Sequence, residues 1–165
     1  MFFTKIPEPG RESSTQSKVN TMHKESLDGF LDELQSRIED DTARLYGPRA
    51  CAIWKNPPHF GAMDSPSSSA ELTGSCGDSM RIDLRIKDDH VVEARYFTTG
   101  CGPSIISGSR ACTLAQGKSL EQAAAMEDQD ILDVFDSIPE DKKHCAHLAA
   151  QTVREAIRRY WRNRP

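Results

Sequence analysis

Two consecutive segments in which apolar and polar residues alternate constrain the fold of this chain most strongly. In residues 80–87 the apolar positions are Met80, Ile82, Leu84 and Ile86. After Asp88-Asp89, residues 92–98 repeat the alternation with Val92, Ala94, Tyr96 and Thr98. A period of two is typical of a strand with one buried face, and so short a connection allows only antiparallel pairing. The chain is therefore predicted to contain an antiparallel hairpin, whose apolar face the remaining residues must cover.

Apolar residues on both sides of this hairpin recur at helical spacing. In the N-terminal part, with Ser26 as the predicted N-cap, they are Leu27, Phe30, Leu31, Leu34, Ile38 and Leu45. In the last part they are Cys145, Leu148, Ala149, Thr152, Val153, Ala156, Ile157 and Tyr160. A further strand is predicted near residues 70–75. This order indicates an α+β fold: a small three-stranded antiparallel sheet with helices packed on one face, plus an N-terminal helical extension.

Composition divides the 165 residues into three parts. Residues 1–22 are rich in Pro, Ser, Thr, Gln and Lys and are predicted to be a flexible tail. Residues 23–43 form the predicted N-terminal helical extension, and residues 44–165 form one domain.

The charge balance and the hydropathy exclude two classes of partner. The formal net charge is −4, with 21 Lys and Arg against 25 Asp and Glu, so no basic surface for nucleic acid is expected. No apolar run approaches the roughly 20 residues of a membrane span, and no secretory signal is recognised. The five cysteines are an odd number, which favours free thiols in a reducing compartment. We therefore expect a cytoplasmic protein that binds neither nucleic acid nor membranes.

Three of the five cysteines stand at special backbone positions. Cys76 lies in Gly74-Ser75-Cys76-Gly77-Asp78, just before the hairpin, and Cys101 lies in Gly100-Cys101-Gly102, just after it. Because a hairpin returns the chain to its starting point, both cysteines should lie at one end of the sheet. Pro103 suits the first turn of a helix, so Cys101 should also lie at a helix N-terminus. The last helix need only begin at this end of the sheet to add His144 and Cys145.

The resulting donor set is three thiols, the Asp78 carboxylate and the His144 imidazole. Thiolates select zinc, copper(I) or iron–sulfur clusters, so a tetrahedral zinc ion and a [2Fe–2S] cluster are both possible from the residues alone. Cys51 and Cys112 lie inside helical patterns and are predicted to be ordinary core residues.

These motifs resemble the NifU/IscU-type scaffolds for iron–sulfur cluster assembly. The resemblance rests on the two glycine-flanked cysteines and on Lys142-Lys143-His144-Cys145, with spacings of 25 positions from Cys76 to Cys101 and 44 positions from Cys101 to Cys145. It extends to Tyr46, to Asn56-Pro57 and to Gly117-Lys118-Ser119-Leu120. The family implies a fold of the SufE/NifU type and a function in which a labile [2Fe–2S] cluster is assembled and passed on. It also implies an assembly scaffold and cluster carrier rather than an enzyme.

The resemblance also implies roles for single residues. Cys76, Cys101 and Cys145 would be cluster ligands and sulfur acceptors, Asp78 or His144 would complete the site, and Lys142 would assist through its charge. The partners implied are a cysteine desulfurase, an iron donor, a ferredoxin-type reductant and apo iron–sulfur proteins. Zinc is an expected occupant of the same site in purified protein, since the donor atoms suit it.

Two departures from the family pattern bear on partners and on the alternative function. Glu140-Asp141 replace the Pro-Val of members recognised by a dedicated Hsp70-type chaperone, so dependence on such a chaperone is not implied. The alternative function is a zinc-bound sulfurtransferase relay that accepts persulfide from a cysteine desulfurase. The 44-position gap before Cys145 has no room for the insertion of that branch, which disfavours the relay.

Overall fold

The computed structural model describes residues 14–164, with side chains from residue 27 onward. This part of the chain forms two compact units that divide between Asp40 and Asp41. No helix within it is both long enough and apolar enough to span a membrane.

The first helix, α1, spans Ser14–Tyr46 and begins twelve residues before the predicted N-cap at Ser26. Residues 14–22 are therefore helical, and the predicted flexible tail is wrong for them. The rest of that predicted tail, residues 1–13, lies outside the described residues. Residues 14–22 are helical because no glycine or proline separates residue 14 from Ser26, so nothing in this stretch ends a helix. The apolar stripe that predicted the helix remains 36–56% exposed at Leu27, Phe30, Leu31, Leu34 and Ile38.

The sheet has the predicted three antiparallel strands in the order β1-β2-β3. They are β1 (Ser68–Thr73), β2 (Ser79–Lys87) and β3 (His90–Thr98). Asp88 and Asp89 both have positive φ, as the tight turn between β2 and β3 requires. A bulge between Arg85 and Ile86 shifts the register at that end of the hairpin. Val91 is consequently buried, whereas Val92, which the alternation placed inside, is 45% exposed.

Within residues 14–164, six α-helices precede and follow the strands. After α1, they are α2 (Pro48–Lys55), α3 (Gly102–Ala115), α4 (Leu120–Ala124), α5 (Asp128–Leu132) and α6 (His144–Arg162). The sequence predicts that the last helix starts near Pro139, but α6 starts at His144, after a single 3₁₀ turn at Glu140–Lys142. Pro139 itself is extended, with ψ at 142°, so the helix cannot start there.

The core lies between the sheet and the helices α3 and α6, which pack on it. Its fully buried members include Met80, Ile82 and Leu84 from the sheet and Val153 and Ile157 from α6. The α+β class, the three-stranded sheet and the helices packed on it are confirmed. Because α3 and α6 start at the same end of the sheet that the β1–β2 turn occupies, this packing determines which side chains meet there.

Candidate metal centre

Cys76 lies in the tight turn that joins β1 to β2. The turn is closed by hydrogen bonds from the Gly74 amide to the Asp78 carbonyl (2.8 Å) and from the Gly77 amide to the Gly74 carbonyl (3.0 Å). Gly77 adopts a φ of 87°, which a side chain would disfavour. The turn holds Cys76 on the surface, where its thiol is exposed.

Cys101 lies beside this turn, at the junction between β3 and α3. The strand pair continues past β3, since the Thr99 amide donates to the Ser79 carbonyl at 3.1 Å. Cys101 is the N-cap residue of α3, and its carbonyl accepts the Ile105 amide at 3.1 Å. The thiol is exposed, as that of Cys76 is. The predicted location at a helix N-terminus is confirmed.

Cys145 approaches from the first turn of α6 and is only 1% exposed. Burial raises the pKa of its thiol to about 11, a shift that the Ser104 hydroxyl opposes. Negative charge on Cys101, Cys76 and Asp78 contributes to the increase, because these groups lie close to the thiol. His144, the first residue of α6, places Nε2 3.7 Å from the Cys145 sulfur. The predicted thiols and the carboxylate therefore share one end of the sheet.

Asp78 is linked to the Cys145 thiol by Ser104, a residue that the sequence patterns did not single out. The Ser104 side chain, fully buried in the first turns of α3, lies 3.3 Å from the Cys145 sulfur and 3.4 Å from Asp78 Oδ2. The only available signal in the sequence is its spacing of three residues from Cys101, which turns it toward the same end of the helix.

Lys142 adds a positive charge to the same neighbourhood. Its ammonium is 3.5 Å from Asp141, and the pKa of Lys142 is raised by Asp141 and then by Cys101 and Cys145. Beside Cys101 lies a cavity of about 250 Å³, whose walls include Tyr46, Trp54 and Ile106. The pKa of Tyr46 is raised, first by burial and next by the Cys101 charge.

The side chains are neighbours without forming a finished coordination shell. In the part of the chain that the structure describes, no three cysteine, histidine or carboxylate groups are arranged to hold a metal ion. Two donors, Cys76 and Cys101, point outward, while Cys145 is buried. Cys112 lies elsewhere, fully buried in the core, and burial raises the pKa of its thiol far above the usual range. Cys51 is also buried, and both match the prediction of core residues.

This small α+β domain brings three cysteines and a carboxylate to one end of its sheet, and thiols are the donors that zinc, copper(I) and iron–sulfur clusters select. Residues 45–165 match the family of the NifU-like N-terminal domain, and the chain belongs to that family.

Relatives of stated function support the same assignment. The chain is 35% identical over 130 residues to the mitochondrial iron sulfur cluster assembly protein 1 of Kluyveromyces lactis, covering 75% of this chain and 72% of the relative. It is 32% identical over 120 residues to the iron–sulfur cluster assembly scaffold protein IscU of Escherichia coli K12, covering 70% and 93%. Among solved structures, the N-terminal NifU-like protein of Brucella abortus matches with a TM-score of 0.61 at 18% identity, covering 74% of this chain and 98% of that one. This last likeness shows the fold.

Proposed function

We propose that this protein is a scaffold on which a labile [2Fe–2S] cluster is assembled and from which it is passed to apo-proteins. The observation that carries the proposal is the convergence of Cys76, Cys101 and Cys145 with Asp78 at one end of the sheet. Membership of the NifU-like family supports it, as do relatives named assembly scaffolds. The cluster is the cargo, and the protein acts as a carrier rather than as an enzyme.

In this proposal the three thiolates bind the cluster and Asp78 supplies the fourth ligand, with His144 as the alternative. Thiolates and one harder oxygen donor hold iron less tightly than four thiolates do. The exposed thiols of Cys76 and Cys101 must turn inward to complete the shell, because the donors are not gathered beforehand. A site whose ligands gather only around a bound cluster can also release that cluster.

Sulfur would reach the site as a persulfide on a cysteine desulfurase. A thiolate of the scaffold attacks the outer sulfur of the donor persulfide, a new S–S bond forms, and the donor leaves as a thiolate. Reduction of this sulfur to sulfide then takes two electrons from a ferredoxin-type reductant, while a separate donor supplies iron. Cys76, Cys101 and Cys145 are the proposed acceptors. The Lys142 ammonium lies close enough to Cys101 and Cys145 that their negative charges raise its pKa. Its positive charge would in turn stabilise the attacking thiolates.

Two further points belong to the proposal. Glu140 and Asp141 put carboxylates on the turn before α6, so we propose assembly without a dedicated Hsp70-type chaperone. Cys76, Cys101, Cys112 and Cys145 are not in disulfide bonds, which suits the reducing cytosol that we propose as the compartment. Zinc would bind to the same donors in purified protein. The zinc-bound sulfurtransferase relay is not favoured, because the relatives above are named scaffold and assembly proteins.

Anaerobic reconstitution tests the proposal directly. The reduced apo-protein is incubated with iron, cysteine and a cysteine desulfurase, and cluster formation is followed by visible absorbance. We expect a cluster on the wild-type protein and on Cys112→Ala, whose lost thiol lies in the core, but none on Cys101→Ala. Persulfide that accumulates without a cluster would refute the scaffold function and favour the relay.

A further inference from the structure

We propose that Ser104 is a positioning residue that ties Asp78 to Cys145 through its single hydroxyl group. The inference rests on the proposed function, since it concerns two of the proposed ligands. Ser104 is fully buried and contacts both groups, at 3.4 Å to Asp78 Oδ2 and 3.3 Å to the Cys145 sulfur. The distance to the sulfur is ordinary for an O–H···S hydrogen bond, whereas the distance to Asp78 is long for an O–H···O bond, so one hydroxyl lies within reach of two acceptors and favours the sulfur.

A serine hydroxyl carries one proton, and this number makes the two ligands interdependent. When the proton points to the Cys145 sulfur, the Asp78 carboxylate loses a donor and is free to turn toward a metal. When it points to Asp78, the sulfur loses its donor. If Asp78 were to bind a metal, the Ser104 hydroxyl would be left to donate to the Cys145 thiolate, where a charge-assisted bond is stronger.

The backbone at the β3–α3 junction is shaped for this contact. A Cβ atom built on Gly100 would lie 2.4 Å from the Ser104 hydroxyl oxygen and 2.7 Å from Asp78 Oδ2. Only a residue without a side chain leaves room for the hydroxyl and the carboxylate to meet. The contact between Ser104 and Asp78 therefore depends on glycine at position 100, because a methyl group there would occupy the place where the two side chains meet.

The neighbouring Ser107 provides a matched control on the same helix. It is also fully buried, but within the described residues its hydroxyl has no hydrogen-bond partner. Ser104→Ala and Ser107→Ala remove the same atom from the same helix one turn apart. An effect that comes only from the lost volume of a hydroxyl group should therefore appear in both variants. An effect on Asp78 and Cys145 should appear only in Ser104→Ala.

The test is a titration of the reduced apo-protein with Co²⁺ under anaerobic conditions, followed by the sulfur-to-cobalt charge-transfer absorbance. We expect Ser104→Ala to bind Co²⁺ about tenfold more weakly than wild type, because residues that orient metal ligands typically contribute this much. Ser107→Ala should bind Co²⁺ like wild type, and Ser104→Ala should unfold at a slightly lower temperature than Ser107→Ala, because it alone breaks hydrogen bonds. Repeating the comparison in an Asp78→Ala background should reduce the cost of losing Ser104, since one of its two partners is then gone.

Each other result overturns a stated part of the argument. Equal affinity of Ser104→Ala and wild type, or equal losses in the two serine variants, would refute the positioning role while leaving the scaffold function intact. An undiminished cost in the Asp78→Ala background would refute the link between Asp78 and Cys145. If wild-type protein fails to give the charge-transfer band, the proposed site itself is wrong, and the role of Ser104 is refuted with it.

Discussion

Adding one methyl group at Gly100 is expected to damage the proposed metal centre by crowding. In Gly100→Ala the new Cβ would lie 2.4 Å from Ser104 Oγ, 2.6 Å from Ser104 Cβ and 2.7 Å from Asp78 Oδ2. All three distances are well below normal van der Waals contact, so a side chain must move. Ser104 is fully buried and has little space in which to retreat, whereas Asp78 can turn away and leave the site.

The size of the effect on stability follows from overpacking in a buried site. Inserting a methyl group into packed surroundings typically costs about 1–3 kcal/mol. For a chain of this length each kcal/mol lowers the melting temperature by about 2–4 °C, so a decrease of roughly 2–12 °C is expected. The loss of Co²⁺ affinity should be larger in relative terms, since turning Asp78 away removes one proposed ligand and breaks the contact of that ligand with Ser104. We expect Co²⁺ affinity to fall by at least about tenfold.

A second glycine separates crowding at the site from loss of stability. Gly61 has a φ of 118°, and a Cβ there would meet nothing within 4 Å. Gly61→Ala therefore costs stability through backbone strain, by about 1–2 kcal/mol, without touching the metal centre. Thermal unfolding by circular dichroism and Co²⁺ titration of both variants give the answer. The reasoning is refuted if Gly100→Ala keeps wild-type affinity, or if Gly61→Ala loses as much affinity at equal stability.

Three further predictions address single groups of the centre. Asp78→Ala should lengthen the lifetime of a reconstituted cluster several-fold, because the proposed alternative ligand, His144, would then take the fourth position in place of a weakly bound oxygen. Visible absorbance during transfer to an apo-ferredoxin measures this lifetime, and an equal or shorter lifetime counts against the role of Asp78. Alkylation of Cys145 by iodoacetamide should be slow at pH 7, where a pKa of about 11 leaves about one thiol in ten thousand ionised, and should rise about tenfold per pH unit toward pH 10. Peptide mass spectrometry follows this rate, and a rate independent of pH would show that the thiolate is not formed by simple titration. Cys112→Ala should lower the melting temperature by a few degrees through a small core cavity but still assemble a cluster, and loss of assembly would show that Cys112 has a role beyond packing.

The local patterns in the sequence predicted the elements that hold the centre. Alternation between residues 80 and 98 determines the β2–β3 pair, because a strand with one buried face has no other regular pattern. The glycines around Cys76 and Cys101 indicated turns at the ends of these strands, and the structure has turns there. The start of α1 escaped prediction because residues 14–25 contain neither a breaker nor a decisive cap, so composition suggested a tail where a helix forms.

Relations between distant residues could not be predicted in the same way. The burial of Cys145 depends on what α3 and α6 bring together, and the pKa of its thiol follows from that burial. The contact of Ser104 with Asp78 joins residues 26 positions apart, and that with Cys145 spans 41 positions. A serine among the isoleucines of a helix gives no hint of either partner. Both distances depend on packing, which local periodicity does not encode.

The pairing of Ser79 with the end of β3 has a mechanical consequence for the centre. The Ser79 carbonyl accepts the Thr99 amide at 3.1 Å and the Thr98 hydroxyl at 2.8 Å, and the Ser79 amide donates to the Thr99 hydroxyl at 3.0 Å. These bonds close the ladder between the turn that carries Cys76 and the junction that carries Cys101. Together with the pairing of Met80 with Thr98, these bonds determine how far apart the two cysteine-bearing loops lie. A slip of one residue in this pairing would turn the neighbouring side chains to the opposite face. If these hydrogen bonds opened before the rest of the sheet, the loops that carry Cys76 and Cys101 would move apart. Hydrogen exchange at the Thr99 amide would report this opening.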